Sequence, residues 1–209
     1  MSAPTDSRGH RLFAAVYDLI SKAEEERVLG PLRRWVVGGA TGRVLEIGAG
    51  TGLSFPYYRR DAQLVATEPD PYMRRRARRR AAALQLPVEL HAAPAEALPF
   101  PDASFDAVVC TLVLCTVRDP VRALGEVHRV LRPNGSFRFI EHVRGAGWQA
   151  AAQDLVTPLW RRVGAGCHPN RPTVETIRAA GFHVDRLEQR PHLVPGPFVA
   201  GVATVEAGR

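Results

Sequence analysis

At 209 residues, with 45% hydrophobic and 23% charged residues, the chain has the size and composition of one soluble domain with a sizeable core. Its three cysteines include no C-x-x-C pair, which argues against a disulfide framework or a zinc site and suits a reducing cytoplasm, so no metal is expected. The net charge of +7 is local, because residues 74–80 read RRRARRR and the balance without those six arginines is +1. That block has no interleaved aromatic residues for base stacking, so it reads first as a solvated helix face, with a nucleic-acid or anionic-lipid patch as the alternative. The longest apolar stretch, Val108 to Val117, falls far short of the ~20 residues a membrane span needs. The N-terminal MSAPTDSRGH is polar and has no apolar signal core.

In chain order, residues 11–37 are expected to be helical, with Leu12, Val16, Leu19 and Ile20 on one face. A short buried strand follows at 43–47. The glycine loop GAGTG comes next, then a short helix near 53–60. QLVATE (63–68) is a second strand, and a helix spans about 71–85 with Pro71 in its first turn. PVELHAA gives a third strand, and FDAVVCTLV (105–113) a fourth, apolar on both faces as in a parallel sheet. Asp119-Pro120 caps a helix to about 131, RPNG (132–135) is a turn, and SFRFIEHV (136–143) is a fifth strand. Helices near 149–163 and 173–180 precede HVDRLEQ and FVAGVAT, two strands that form an antiparallel pair.

This alternation predicts an α/β fold, a doubly wound, mostly parallel seven-stranded sheet. It is read as a single domain over 1–209, with a helical cap at 1–40, a ligand-binding core at 41–145 and acceptor-side elements at 146–209. Ligands of such sheets bind beyond the carboxyl ends of the strands. That rule gathers the glycine loop, Glu68, Ala95-Glu96, Thr111 and Glu141-His142 around one crevice.

The glycine loop is the sharpest signal. Gly48, Gly50 and Gly52 follow a strand, with Glu46 two positions ahead of them. Such a turn lets backbone amides approach a nucleotide-like ligand closely. A dinucleotide fingerprint would read G-x-G-x-x-G, and a P-loop would need a lysine that is absent here. Glu68 stands at the end of the second strand, where a carboxylate can accept both ribose hydroxyl protons of an adenosine. Pro69 and Met73 are placed to wall an adenine.

The E-x-G-x-G-x-G run resembles motif I of the class I S-adenosylmethionine (SAM) methyltransferases. The segment APAEALPFPDASFD (93–106) and the turn LRPNG resemble those of the ubiquinone/menaquinone-type members. Pro94 departs from that pattern, standing where the family often has an adenine-binding Asp. VVCTLVLCTV (108–117), FIEHV (139–143) and GCHPNR (166–171) are further similar to segments of the animal alkyl-thiol S-methyltransferases. Those begin with a hydrophobic anchor that this polar N-terminus does not resemble, so a soluble bacterial relative is expected.

The resemblance implies SAM as cofactor and a small-molecule methyl acceptor. It assigns Glu46, Gly48, Ala49, Gly50 and Gly52 to the methionine end, Glu68 to the ribose, and Pro69, Met73, Ala95 and Glu96 to the adenine. Thr111 and Leu112 fall near the methyl. Tyr17, Cys115, Cys167 and His168 are candidates for the acceptor side, with packing as the alternative for Tyr17 and Cys115. His142 is the candidate catalytic residue, able to hold an acceptor or take its proton. Cys167-His168 alone supply only two potential metal ligands without partners. The rival readings are O- or C-methylation of a quinone, lipid or secondary metabolite, and a non-catalytic SAM- or RNA-binding protein using Arg74–Arg80. Nothing in the chain argues for a particular oligomeric state.

Overall fold

The computed structural model describes residues 25–163, 166–192 and 196–205. Tyr17 and the apolar face at Leu12, Val16, Leu19 and Ile20 lie outside them. The described part of the first helix starts as a π-helix, Glu25–Leu29, and continues as α1, Gly30–Val36. Pro31 explains the change of winding, since its missing N–H cannot close a bond to the preceding turn.

Seven strands form one sheet: β1 (Arg43–Ile47), β2 (Gln63–Thr67), β3 (Val88–His91), β4 (Phe105–Thr111), β5 (Leu131–His142), β6 (Phe182–Arg190) and β7 (Phe198–Val205). Their order is β3-β2-β1-β4-β5-β7-β6, and β7 runs antiparallel to both neighbours. The remaining described helices are α2 (Pro71–Ala83), α3 (Pro120–Val130), α4 (Trp148–Val163) and α5 (Thr173–Ala179). Among the described residues no helix is long and apolar enough to cross a membrane.

Strand periodicity divides the core between two faces. Leu45, Ile47, Val108 and Cys110 pack on one face with Leu124 of α3 and Ile177 of α5. Val44, Ala66 and Val109 pack on the other with Ala77 and Ala81 of α2. Cys110 is a core residue. Ala77 and Ala81 are the buried residues of α2, and its arginines are half-buried or exposed. Asp70 and Asp119 cap α2 and α3, accepting from the Tyr72 and Met73 amides and from the Arg122 amide respectively.

Two local expectations are corrected. The segment near 53–60 makes only a 3₁₀ turn at Phe55–Tyr57, and Tyr58 then turns extended at ψ 144°. RPNG is not a free turn but a bulged run inside β5. Phe105 pairs with Leu131 and Ala107 with Ser136, so residues 132–135 stand opposite Asp106 alone. Arg132 reaches back to the Asp106 carboxylate and closes the bulge.

Replacement of the Asp119 cap by alanine is expected to lower stability by about 1 kcal/mol, and by asparagine much less. Urea unfolding of both variants checks this, and equal loss in the two would mean that the side chain does not cap α3.

Candidate functional site

In the strand order, chain progression reverses between β1 and β4, the position at which sheets of this kind bind ligands beyond the carboxyl ends of their strands. The glycine loop lies at the end of β1. Gly48, Gly50 and Gly52 all adopt positive φ, at 65°, 58° and 81°. A Cβ on Gly48 would meet Val113 at 2.7 Å, and one on Gly52 would meet the Phe55 ring at 2.7 Å. A Cβ on Gly50 would meet nothing within 4 Å. Gly48 and Gly52 are therefore required by packing, whereas Gly50 borders open space. Ala49 is buried, and its amide donates to the Thr67 carbonyl at 2.9 Å.

Glu68 links this loop to β2. Its Oε2 accepts from the Gly50 amide at 2.8 Å, and its Oε1 from the Asp70 amide at 2.8 Å. Each oxygen keeps one lone-pair direction for a further donor. Burial pushes the carboxyl pKa up, and the two amide bonds oppose that shift. Two members of the arginine block also brace this region. Arg74 donates to the Glu68 and Pro69 carbonyls, and Arg80 to the Thr51 carbonyl and hydroxyl. Pro69 is exposed and Met73 half-buried beside it.

Beneath the loop, Glu46 is fully buried, and neither of its carboxylate oxygens has a hydrogen-bond partner. Burial pushes its pKa up to about 7, and the nearby Ser54 hydroxyl and Arg33 charge offset part of that rise. Arg33 is buried as well. It donates to Glu25 at 3.0 Å, to Ser54 Oγ at 2.6 Å and to Thr111 Oγ1 at 2.9 Å. One guanidinium thus ties the first helix, the glycine-loop segment and the end of β4 together. Sequence reasoning passed over Arg33. The available signal was a charge on the apolar stripe of α1, between Leu32 and Val36.

The end of β4 is unusual in its backbone. Leu112 has φ 60°, a conformation that costs a non-glycine residue about 1–3 kcal/mol. The following turn is held by Glu141, a second residue without an assigned role in the sequence. Its buried carboxylate accepts from the amides of Val113 and Leu114 at 2.9 Å and of Cys115 at 3.1 Å. Burial raises its pKa to about 7 despite these bonds.

Glu96, read as an adenine contact, commits one carboxylate oxygen, Oε1, to the backbone. It accepts from the Arg118 and Asp119 amides at 3.0 and 3.4 Å and braces the entry to α3. Ala95 beside it is buried in the core.

The acceptor-side candidates separate. Cys115, His142 and Cys167 come together, all buried, with His142 Nδ1 at 4.0 Å from Cys115 Sγ and 3.6 Å from Cys167 Sγ. His142 stacks on Phe198 at 4.4 Å between centroids, and its Nε2 is buried without a partner. Hydrogen bonding from Cys115, helped by His142, lowers the Cys167 thiol pKa to about 5. His168 stands apart from this trio among the described groups, and its amide donates to the Cys115 carbonyl at 2.7 Å.

Glu46 titrates near 7 when folded and near 4.5 when free. The native state therefore holds a proton that the unfolded chain loses, so stability falls as pH rises from 4.5 to 7, by up to about 3 kcal/mol from this group. Glu141 acts in the same direction over the same window. Asp106 and Asp154, with lowered pKa values, act oppositely but only at lower pH. Thermal melts of ligand-free Glu46→Gln at about pH 5 and about pH 7.5 should show a smaller loss of stability with rising pH than the wild type shows. An equal drop in both proteins would remove Glu46 as a source.

Residues 45–139 match the family model described as methyltransferase domain. The chain is 35% identical over 176 residues to the thiol S-methyltransferase TMT1B of Homo sapiens, covering 79% of this chain and 72% of that protein. It is 36% identical over 164 residues to the phosphatidylethanolamine N-methyltransferase of Cereibacter sphaeroides, covering 76% and 78%. Among solved structures, a SAM-dependent methyltransferase from Thermotoga maritima, described as a possible histamine N-methyltransferase, superposes with a TM-score of 0.72 at 23% identity, covering 95% of this chain and 99% of that one.

Proposed function

The chain belongs to the class I SAM-dependent methyltransferases, and we propose that it transfers the methyl group to a small, fairly apolar thiol. The enzyme class and the cofactor follow from the family. The acceptor and the residue roles are our reading. The observation that carries the acceptor is the likeness to a thiol S-methyltransferase over 79% of this chain. Its support in the fold is that the segments 108–117, 139–143 and 166–171 meet at Cys115, His142 and Cys167.

The residues at the end of β1 and β2 fit the cofactor. Gly50 borders open space, the Glu68 oxygens each retain an acceptor direction, and Glu46 is an orphaned buried carboxylate whose ionised form a nearby cation would favour. In this reading Gly48, Ala49, Gly50 and Gly52 shape the methionine end. Glu68 accepts from the ribose, and Pro69, Met73 and the backbone near Ala95 border the adenine. Residues 41–145 hold the cofactor and lend Cys115 and His142 to the acceptor side, which the elements after them complete.

Bound SAM supplies a methyl already activated by sulfonium charge. The protein must then align the nucleophile and exclude water. Thr111 and Leu112 end β4 at the crevice, where Arg33 and Glu141 fix the backbone. His142 Nε2, buried and unpartnered, is the group left to hold the acceptor sulfur by a hydrogen bond. A strong base is not required, because a thiol of pKa about 8.5 is a few per cent thiolate at neutral pH.

Glu68→Ala should weaken SAM binding at least about tenfold, from the loss of hydrogen bonds to a charged acceptor. Gly50→Val should abolish binding with less effect on folding, since the added side chain enters open space and the cost to the fold is the strain of a branched residue at positive φ. Calorimetry with circular dichroism on each variant checks both, and normal SAM affinity in either would detach that residue from the site. The acceptor is tested with matched thiols and phenols and labelled SAM. Thiol methylation, with a rate rising toward the acceptor's own pKa, is expected. Methylation of phenols or quinols with every thiol inert would replace the thiol reading by O- or C-methylation.

A further inference from the structure

Cys115, His142 and Cys167 come from three separate segments: the turn after β4, the end of β5 and the loop between α4 and α5. Their donor atoms all lie within 4.8 Å of one another. A tetrahedral zinc has bonds of roughly 2.3 Å to sulfur and 2.0–2.1 Å to nitrogen, which sets the donors about 3.5 Å apart for a sulfur–nitrogen pair and about 3.8 Å for two sulfurs. The observed sulfur–Nδ1 separations are 3.6 and 4.0 Å, so the trio needs only small side-chain adjustments to close around one ion. Two soft thiolates and an imidazole suit zinc and disfavour magnesium or calcium.

We propose that Cys115, Cys167 and His142 form a zinc site with a fourth position left for water or another small ligand. Three protein ligands and one open position is the arrangement of zinc sites that do chemistry. Charge favours it. Two thiolates, one neutral imidazole and one Zn²⁺ sum to zero, so the cluster is buried without net charge. Binding releases the remaining thiol protons to solvent and changes no oxidation state. Ligation through Nδ1 leaves the ring proton on Nε2. That is the unpartnered atom which the thiol reading assigns to the acceptor, although the metal site stands without that reading.

The neighbourhood explains how the trio is held. Glu141 fixes the Cys115 amide, the Cys115 carbonyl accepts from the His168 amide at 2.7 Å, and His142 is stacked on Phe198. The ligands on two loops are thus tied to each other and to the sheet before any ion arrives. Cys110, equally buried but packed in the core on β4, lies outside the cluster and serves as the internal control.

The test uses the full chain, purified under reducing conditions without chelator. Elemental analysis should find about one zinc per chain, and competition with a chromogenic chelator should give submicromolar affinity. Cobalt substitution should add thiolate-to-Co(II) charge-transfer absorption. Cys115→Ser and Cys167→Ser should each weaken zinc binding by about 100-fold or more, beyond the effect typical of losing an outer-shell partner. Cys110→Ala should bind as wild type. Circular dichroism checks that the variants fold, and the cobalt spectrum of the wild type stands even if one does not. Calorimetry with SAM on the same preparations reports separately on the cofactor site. Zinc affinity weaker than micromolar, no charge-transfer band, or recovery of a Cys115–Cys167 disulfide without metal would overturn the proposal.

Discussion

A single buried carboxylate holds the reactive edge of this sheet in shape. Glu141 accepts three consecutive amides, from Val113 to Cys115, just after β4 ends. Buried amides without partners each cost on the order of 1–3 kcal/mol, so the turn has no comparable alternative once Glu141 is in place. The consequence reaches backward to Leu112, held at φ 60°, and forward to Cys115, whose sulfur is brought to His142. β4 and β5 are neighbours in the sheet, which is why a residue on one can order the loop of the other.

Carboxylates recur along the carboxyl ends of the strands, and their differing saturation describes the site. Glu141 accepts three amides and acts as structure. Glu68 is half-committed, each oxygen accepting from one backbone amide. Glu46 is buried with neither oxygen partnered. A buried carboxylate in that condition is costly to ionise, and its pKa near 7 reflects this. The cost is tolerated beneath a loop whose central glycine borders open space. Arg33 is the counterweight, a buried cation with its charge set against Glu25 and near Glu46. The arginine block contributes at the rim, where Arg74 and Arg80 brace the loop and strand end while Arg75, Arg78 and Arg79 stay exposed.

Much of this was readable in the order of residues. Strand periodicity, the glycine spacing, Pro71 in the first turn of α2, the cap at Asp119 and the acidic strand end are local signals, each set by backbone geometry within a few residues. They sufficed for the seven strands and the family. Local reasoning failed where a distant partner decides. The segment after Gly52 has a helical composition, but it is pinned by Phe55 packing under Gly52 and makes one 3₁₀ turn. RPNG has the composition of a turn, yet Phe105 and Ala107 draw it into β5 as a bulge. Glu96 also braces the entry to α3 through Oε1, a tie to residues 22 and 23 positions away that no local pattern shows.

The sequence by itself determined the enzyme class, because a glycine loop, an acidic strand end and their spacing are short-range patterns that few chemistries share. Tertiary structure alone decided which side chains act together. Cys115, His142 and Cys167 are separated by 27 and 25 positions along the chain, and each on its own reads as packing or as an isolated ligand. Parallel pairing of β4 with β5, and return of the 166–171 loop against the turn after β4, bring them within bonding reach of one ion. Arg33 followed the same rule. Its meaning lay in Ser54 and Thr111, 21 and 78 positions away, and only the folded chain brings them to one guanidinium.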